Sequence, residues 1–116
     1  MQDDPAGELA AVGGRRLKAK GEKLVTAESC TGGGVAEAVT AISGSSEWFD
    51  RGFITYSNEA KMEMLRVSPA TLASHGAVSE ETAREMALGA LAMSPGTVSV
   101  SVTGIAGPTG GSRAKP

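Results

Sequence analysis

Three short segments hold side chains whose types and spacing could do chemistry, and each follows a stretch that reads as a β-strand. The first is Glu28-Ser29-Cys30-Thr31-Gly32-Gly33, placed after the apolar run Leu24-Val25-Thr26-Ala27 and before an Ala/Val-rich segment from Gly34 to Ile42. A hydroxyl at such a strand-to-helix turn is held at the carboxyl end of the sheet, where open α/β sheets bind ligands. The backbone amides around Thr31, Gly32 and Gly33 then point out of the helix start, where an oxyanion or a phosphate can be cradled. The Gly-Lys-Ser/Thr ending of a nucleotide-binding P-loop is absent. A cap-only role for Ser29 and Thr31 is the plain alternative. Cys30 is a second nucleophile by type, but a catalytic thiol normally needs a histidine and the chain has only His75. A buried structural thiol is the simpler reading of Cys30.

The second segment is Tyr56-Ser57-Asn58-Glu59-Ala60-Lys61, a strand end feeding a helix start. With Asn58 as N-cap, Lys61 falls in the first turn, where the helix dipole disfavours a cation and makes the amine a better base. Bringing a lysine near neutrality takes about 4 kcal/mol, and the dipole supplies at most about 2 kcal/mol. Partial burial beside Tyr56 must supply the rest, or else Lys61 is an ordinary solvated lysine. The third segment is Thr103-Gly104-Ile105-Ala106-Gly107-Pro108-Thr109-Gly110-Gly111. It lacks the Gly-x-Gly-x-x-Gly spacing of a dinucleotide fold. Its backbone donors suit a phosphate or ribose, with an uncommitted loop as the alternative.

The elements that must position these groups follow from periodicity and punctuation. Residues 7–20 read as a helix interrupted at Gly13-Gly14, with Lys18, Lys20 and Gly21 as stop signals. Strands are expected over 24–27, 52–57 and 97–103. Helices are expected over 34–42, from the Asn58 cap to Leu65, over 69–74 behind Ser68-Pro69, and from the Ser79 cap to Met93. That order predicts an α/β layered fold with a largely parallel sheet. The strand over 97–103 alternates valine with Ser/Thr, whereas strands covered on both faces usually read apolar throughout. Its polar face therefore needs a close-packed small-residue helix or another subunit.

Composition bounds the class. A chain of 116 residues, 41% hydrophobic and 21% charged, is expected to form one globular domain. Eleven bases against thirteen acids, a net charge of −2, argue against nucleic acid or an anionic membrane as partner. No apolar run approaches the roughly 18 residues of a membrane span. The acidic start has no apolar core of a secretory signal. One cysteine and one histidine make neither a disulfide nor a zinc site. A cytoplasmic protein without metal or cofactor is expected.

Four stretches in order, TAESCTGG (26–33), WFDRGFITYSNEAK (48–61), HGAVSEET (75–82) and SVTGIAGPTGGS (101–112), closely resemble the CinA family's C-terminal domain, which includes nicotinamide-nucleotide amidases. The resemblance implies a three-layer α/β/α sandwich with a mostly parallel, mixed sheet, and a homo-oligomer. It implies conversion of nicotinamide mononucleotide, a pyridine nucleotide, to nicotinate mononucleotide and ammonia. Ser29 is then the nucleophile and Lys61 its base, with Tyr56 nearby. Substrate contacts fall on Thr31, Gly32, Gly33, Asn58, Thr103, Gly104, Ile105, Ala106, Gly107, Gly110 and Gly111. Family members continue into a further strand and a terminal helix, so residues 1–116 are expected to form the domain without them. A non-catalytic nucleotide-binding or interaction domain is the alternative function.

Overall fold

The computed structural model describes residues 5–104, with side chains from residue 10 onward. The elements in chain order are α1 (Pro5–Lys20), β1 (Leu24–Glu28), α2 (Gly34–Thr40), a 3-10 turn (Ser45–Glu47), β2 (Phe49–Ile54), α3 (Asn58–Leu65), α4 (Pro69–His75), α5 (Glu80–Ala92) and β3 (Val98–Val102). The three strands form one parallel sheet in the order β2-β1-β3, so β1 lies at its centre. Each parallel pairing requires a crossover through helices.

Alternation along β1 sorts the layers. Val25 and Ala27 are fully buried and join Leu65, Val67, Met86 and Ala90 in the core, with Phe53, Leu72 and Leu91 packed against it. That face is covered by α3, α4 and α5. Thr26 and Glu28 point to the opposite face, where α2 packs. Gly52 makes that packing possible: a Cβ there would stand 2.6 Å from Thr26 Oγ1 and 3.2 Å from the Ala36 methyl. Helices on both faces give the expected α/β/α sandwich. No helix among the described residues is long and apolar enough to cross a membrane.

The polar face of β3 finds its cover in α5, the first of the two possibilities the alternation allows. Ser99 Oγ donates to Ala87 O at 2.9 Å, and Ser101 Oγ to Ala83 O at 2.6 Å. Alanines at these positions let the helix approach closely enough for the hydroxyls to reach its carbonyls.

Several boundaries differ from the sequence-based expectation. Helix α1 runs unbroken through Gly13-Gly14, because Gly14 receives the buried Trp48 ring where a Cβ would collide with it. Strand β2 covers Phe49–Ile54 rather than 52–57, since pairing with β1 selects the stretch from Leu24↔Phe49 to Glu28↔Ile54. The N-cap of α3 is Ser57, whose Oγ accepts from Ala60 N at 3.0 Å, and Asn58 becomes the first helical residue. Two residues, Thr55 and Tyr56, therefore separate the strand end from the cap and are left as a short link.

Candidate active site

Strand β1 delivers Ser29 and Glu28 to opposite sides of the sheet. Ser29 continues the Val25-Ala27 alternation and so emerges on the α3 side, where its N–H donates to Val102 O at 3.0 Å. Lys61 comes from the second turn of α3 and is only 1% exposed. Its Nζ lies 2.9 Å from Ser29 Oγ, 2.9 Å from Thr55 O and 3.2 Å from Tyr56 O. The link left between β2 and α3 thus turns two main-chain carbonyls onto the amine.

The chemistry of this cluster follows from donor counting. As an ammonium, Lys61 donates to all three oxygens. As a neutral amine it has two N–H groups, and the two carbonyls can only accept. The lone pair then faces the Ser29 hydroxyl, which donates to it, the arrangement needed to take a proton from Ser29. Burial pushes the Lys61 amine below the ordinary lysine value, while a charged Cys30 sulfur nearby would push it up. Desolvation, rather than the helix start, thus favours the neutral form. With Ser57 as cap, Lys61 lies one position deeper in α3 than expected, where the dipole is weaker.

Glu28 is a functional group the sequence-based reading left without a role. It is fully buried, and its carboxylate accepts from Thr31 Oγ1 (2.6 Å), Gly33 N (3.2 Å), Val35 N (2.9 Å) and Ala36 N (2.8 Å). Burial alone would raise this carboxyl, but the bonds from the Thr31 hydroxyl and the Val35, Ala36 and Gly33 amides outweigh it and hold it below the usual glutamate value. The visible signal was an acid at a strand end, just before a helix whose amides need an acceptor.

This carboxylate changes the role expected of the glycine turn. The Gly33, Val35 and Ala36 amides are engaged by Glu28, Gly32 N by Ser29 O and Gly34 N by Thr31 O. The start of α2 is therefore already filled by the chain's own anion. Among the described residues, the Cys30 and Thr31 amides hold no acceptor in this turn.

A cavity of about 350 Å³ opens over the pair, lined by Ser29, Cys30, Tyr56, Lys61, Ala77, Val78, Thr103 and Gly104. Of the residues singled out in the sequence, it gathers Ser29, Lys61, Tyr56, Thr103 and Gly104. Thr31, Gly32, Gly33 and Asn58 are not in its lining, and Ile105, Ala106, Gly107, Gly110 and Gly111 lie outside the described residues. The Tyr56 side chain is 75% exposed, so it touches Lys61 through its main-chain carbonyl. Thr103 Oγ1 donates to Ala77 O at 2.8 Å. His75 lies 3.7 Å from Glu81 and takes no part in the cavity lining, so it offers Cys30 no base there.

The fold and site define an α/β protein with a buried serine–lysine pair at the carboxyl end of a parallel sheet. Residues 6–116 match the CinA C-terminal domain. The chain belongs to that family. It is 55% identical over 116 residues to the nicotinamide-nucleotide amidohydrolase PncC of Escherichia coli K12, covering all of this chain and 70% of that one. The PncC of Enterobacter agglomerans is 57% identical over 116 residues, with 71% of its length covered. Among solved structures, the competence/damage inducible protein CihA of Agrobacterium tumefaciens superposes with a TM-score of 0.89 at 51% identity, over 100% of this chain and 72% of that one.

Proposed function

We propose that this chain hydrolyses the carboxamide of nicotinamide mononucleotide to nicotinate mononucleotide and ammonia through a Ser29 acyl-enzyme. The observation that carries the reading is the 2.9 Å contact between Lys61 Nζ and Ser29 Oγ, with two carbonyls occupying the amine's remaining hydrogens. The substrate class comes from the relatives' names.

Neutral Lys61 takes the Ser29 proton as Oγ bonds to the carboxamide carbon. The oxyanion that forms is held by the Cys30 and Thr31 amides, which is electrostatic stabilisation by preset donors. The Lys61 ammonium then gives a proton to the amide nitrogen, the C–N bond breaks, and ammonia leaves. Water, deprotonated by Lys61, cleaves the nicotinoyl ester and restores the Ser29 hydroxyl. This is triad logic with lysine in place of histidine and aspartate. The exposed Tyr56 ring at the cavity gives the pyridinium a cation–π partner. With the amides of the 32–34 turn engaged, the phosphate is assigned to the Gly104 side.

Ammonia release from nicotinamide mononucleotide is the test. Ser29→Ala and Lys61→Ala should each lower kcat by about 1,000-fold or more, with circular dichroism unchanged. Calorimetric binding of the mononucleotide without any ammonia release by the wild type would favour the non-catalytic nucleotide-binding alternative.

A further inference from the structure

The stretch from His75 to Thr82 is part of the family resemblance, and its residues after His75 carry no group that the proposed reaction uses. In the fold it links α4 to α5 and passes beside the serine–lysine pair. Gly76 ends α4 at φ 81°, a positive angle that favours glycine, and its N–H donates to Leu72 O at 2.9 Å. Three hydroxyls hold the link. Ser79 Oγ donates to Gly76 O at 2.9 Å, the fully buried Thr82 donates to the same oxygen at 2.7 Å, and Thr103 Oγ1 donates to Ala77 O at 2.8 Å. The segment is thus fastened at α5 and at the end of β3, whose Val102 O also fixes the Ser29 amide.

We infer that the Ala77–Val78 segment is the wall against which the substrate's acyl group packs, and that Val78 determines which acyl groups fit. The inference rests on the amidohydrolase reading and deepens it. Among the described residues the cavity lining contains Ser29, Cys30, Tyr56, Lys61, Thr103 and Gly104, and Ala77 and Val78 supply its aliphatic side chains. A carboxamide carbon placed at Ser29 Oγ leaves a flat aromatic ring to be desolvated, and aliphatic surface does this without asking for a hydrogen bond. The wall's three straps make it resist displacement, so it selects by size. One methylene in such a pocket changes kcat/KM by about 10–200-fold. Thr103 is on this account a positioning residue, acting through Ala77 rather than on the substrate.

Steady-state ammonia release from nicotinamide mononucleotide by the full chain tests this with Val78→Ala and Val78→Phe. Titration of the mononucleotide into Ser29→Ala, alone and combined with each Val78 change, provides a reading independent of turnover. Val78→Ala should raise KM about tenfold with kcat within threefold, and Val78→Phe should raise it further by filling the ring's space. Dissociation constants in the Ser29→Ala background should rise in parallel. Should Val78→Phe fail to fold, Val78→Ala removes atoms only and still decides. Val78→Ala values of KM and dissociation constant within about twofold of the parent would overturn the inference. So would a fall in kcat at constant KM, since that places Val78 in the chemistry. A wild type that releases no ammonia fails the amidohydrolase reading before any variant is made, and the inference falls with it.

Discussion

At the scale of single residues, the proposed reaction turns on one proton's position between Ser29 and Lys61. Burial favours the neutral amine, and a charged Cys30 sulfur favours the ammonium. Activity should therefore rise with pH through a value below that of an ordinary lysine and level off above it. Removing the sulfur takes away the opposing influence. The Cys30→Ala variant should stay active, with the acidic limb of its kcat/KM profile moved to lower pH. An unmoved limb would show that the thiol does not act on the amine. A dead but folded variant would move the nucleophile from Ser29 to Cys30. Among the described residues the Lys61 amine is oriented by the Thr55 and Tyr56 carbonyls rather than by a carboxylate.

At the scale of elements, the decisive contact is between α3 and α5. Gly89 is buried, and a Cβ on it would stand 1.9 Å from Leu65 O at the end of α3. A main-chain oxygen cannot rotate out of the way as a side chain can, so α3 must shift as a body. Lys61 rides on that helix. Gly89→Ala should destabilise the protein by about 2 kcal/mol, the overpacking penalty exceeding the gain in helix propensity of about 1 kcal/mol. It should also lower kcat by displacing Nζ from Ser29 Oγ. Thermal unfolding and ammonia release on the same sample check both effects. A variant that melts higher and keeps full kcat would show that α3 and α5 separate freely.

At the scale of the whole molecule, two buried titratable groups couple the site to stability. Glu28 has a carboxyl value lower in the folded chain than the ordinary 4.5. Its contribution is full above that value and is lost as pH falls through the folded one. Lys61 has a folded value below the ordinary 10.5. In the window between the two, the unfolded chain binds more protons, so stability rises with pH there as well. Urea unfolding should show one rise in acid and another on the alkaline side. Glu28→Gln should cost about 1–3 kcal/mol at neutral pH, because an amide nitrogen would face the Ala36 N–H. That deficit should shrink in acid, and Lys61→Ala should remove the alkaline rise alone. A deficit unchanged by acid would show that the charge of Glu28 contributes nothing.

Much of this architecture is local information. The apolar run before Ser29, the Ser68-Pro69 and Ser79 helix starts and the valine alternation of β3 each act through neighbours a few residues away, so they can be read from the chain. A parallel sheet with helical crossovers follows from their order, and it puts Ser29 and the segment leading to Lys61 at the same sheet end. What the sequence could not decide rests on groups far apart along the chain. Ser29 and Lys61 are 32 positions apart, and Thr103 and Ala77 are 26. Whether Lys61 is solvated or buried depends on the link between β2 and α3 turning two carbonyls inward. Whether the glycine turn is open to an anion depends on Glu28 reaching the α2 amides. Burial sets the state of the Lys61 amine, hydrogen bonds that outweigh burial set that of the Glu28 carboxylate, and burial exists only once the layers have packed.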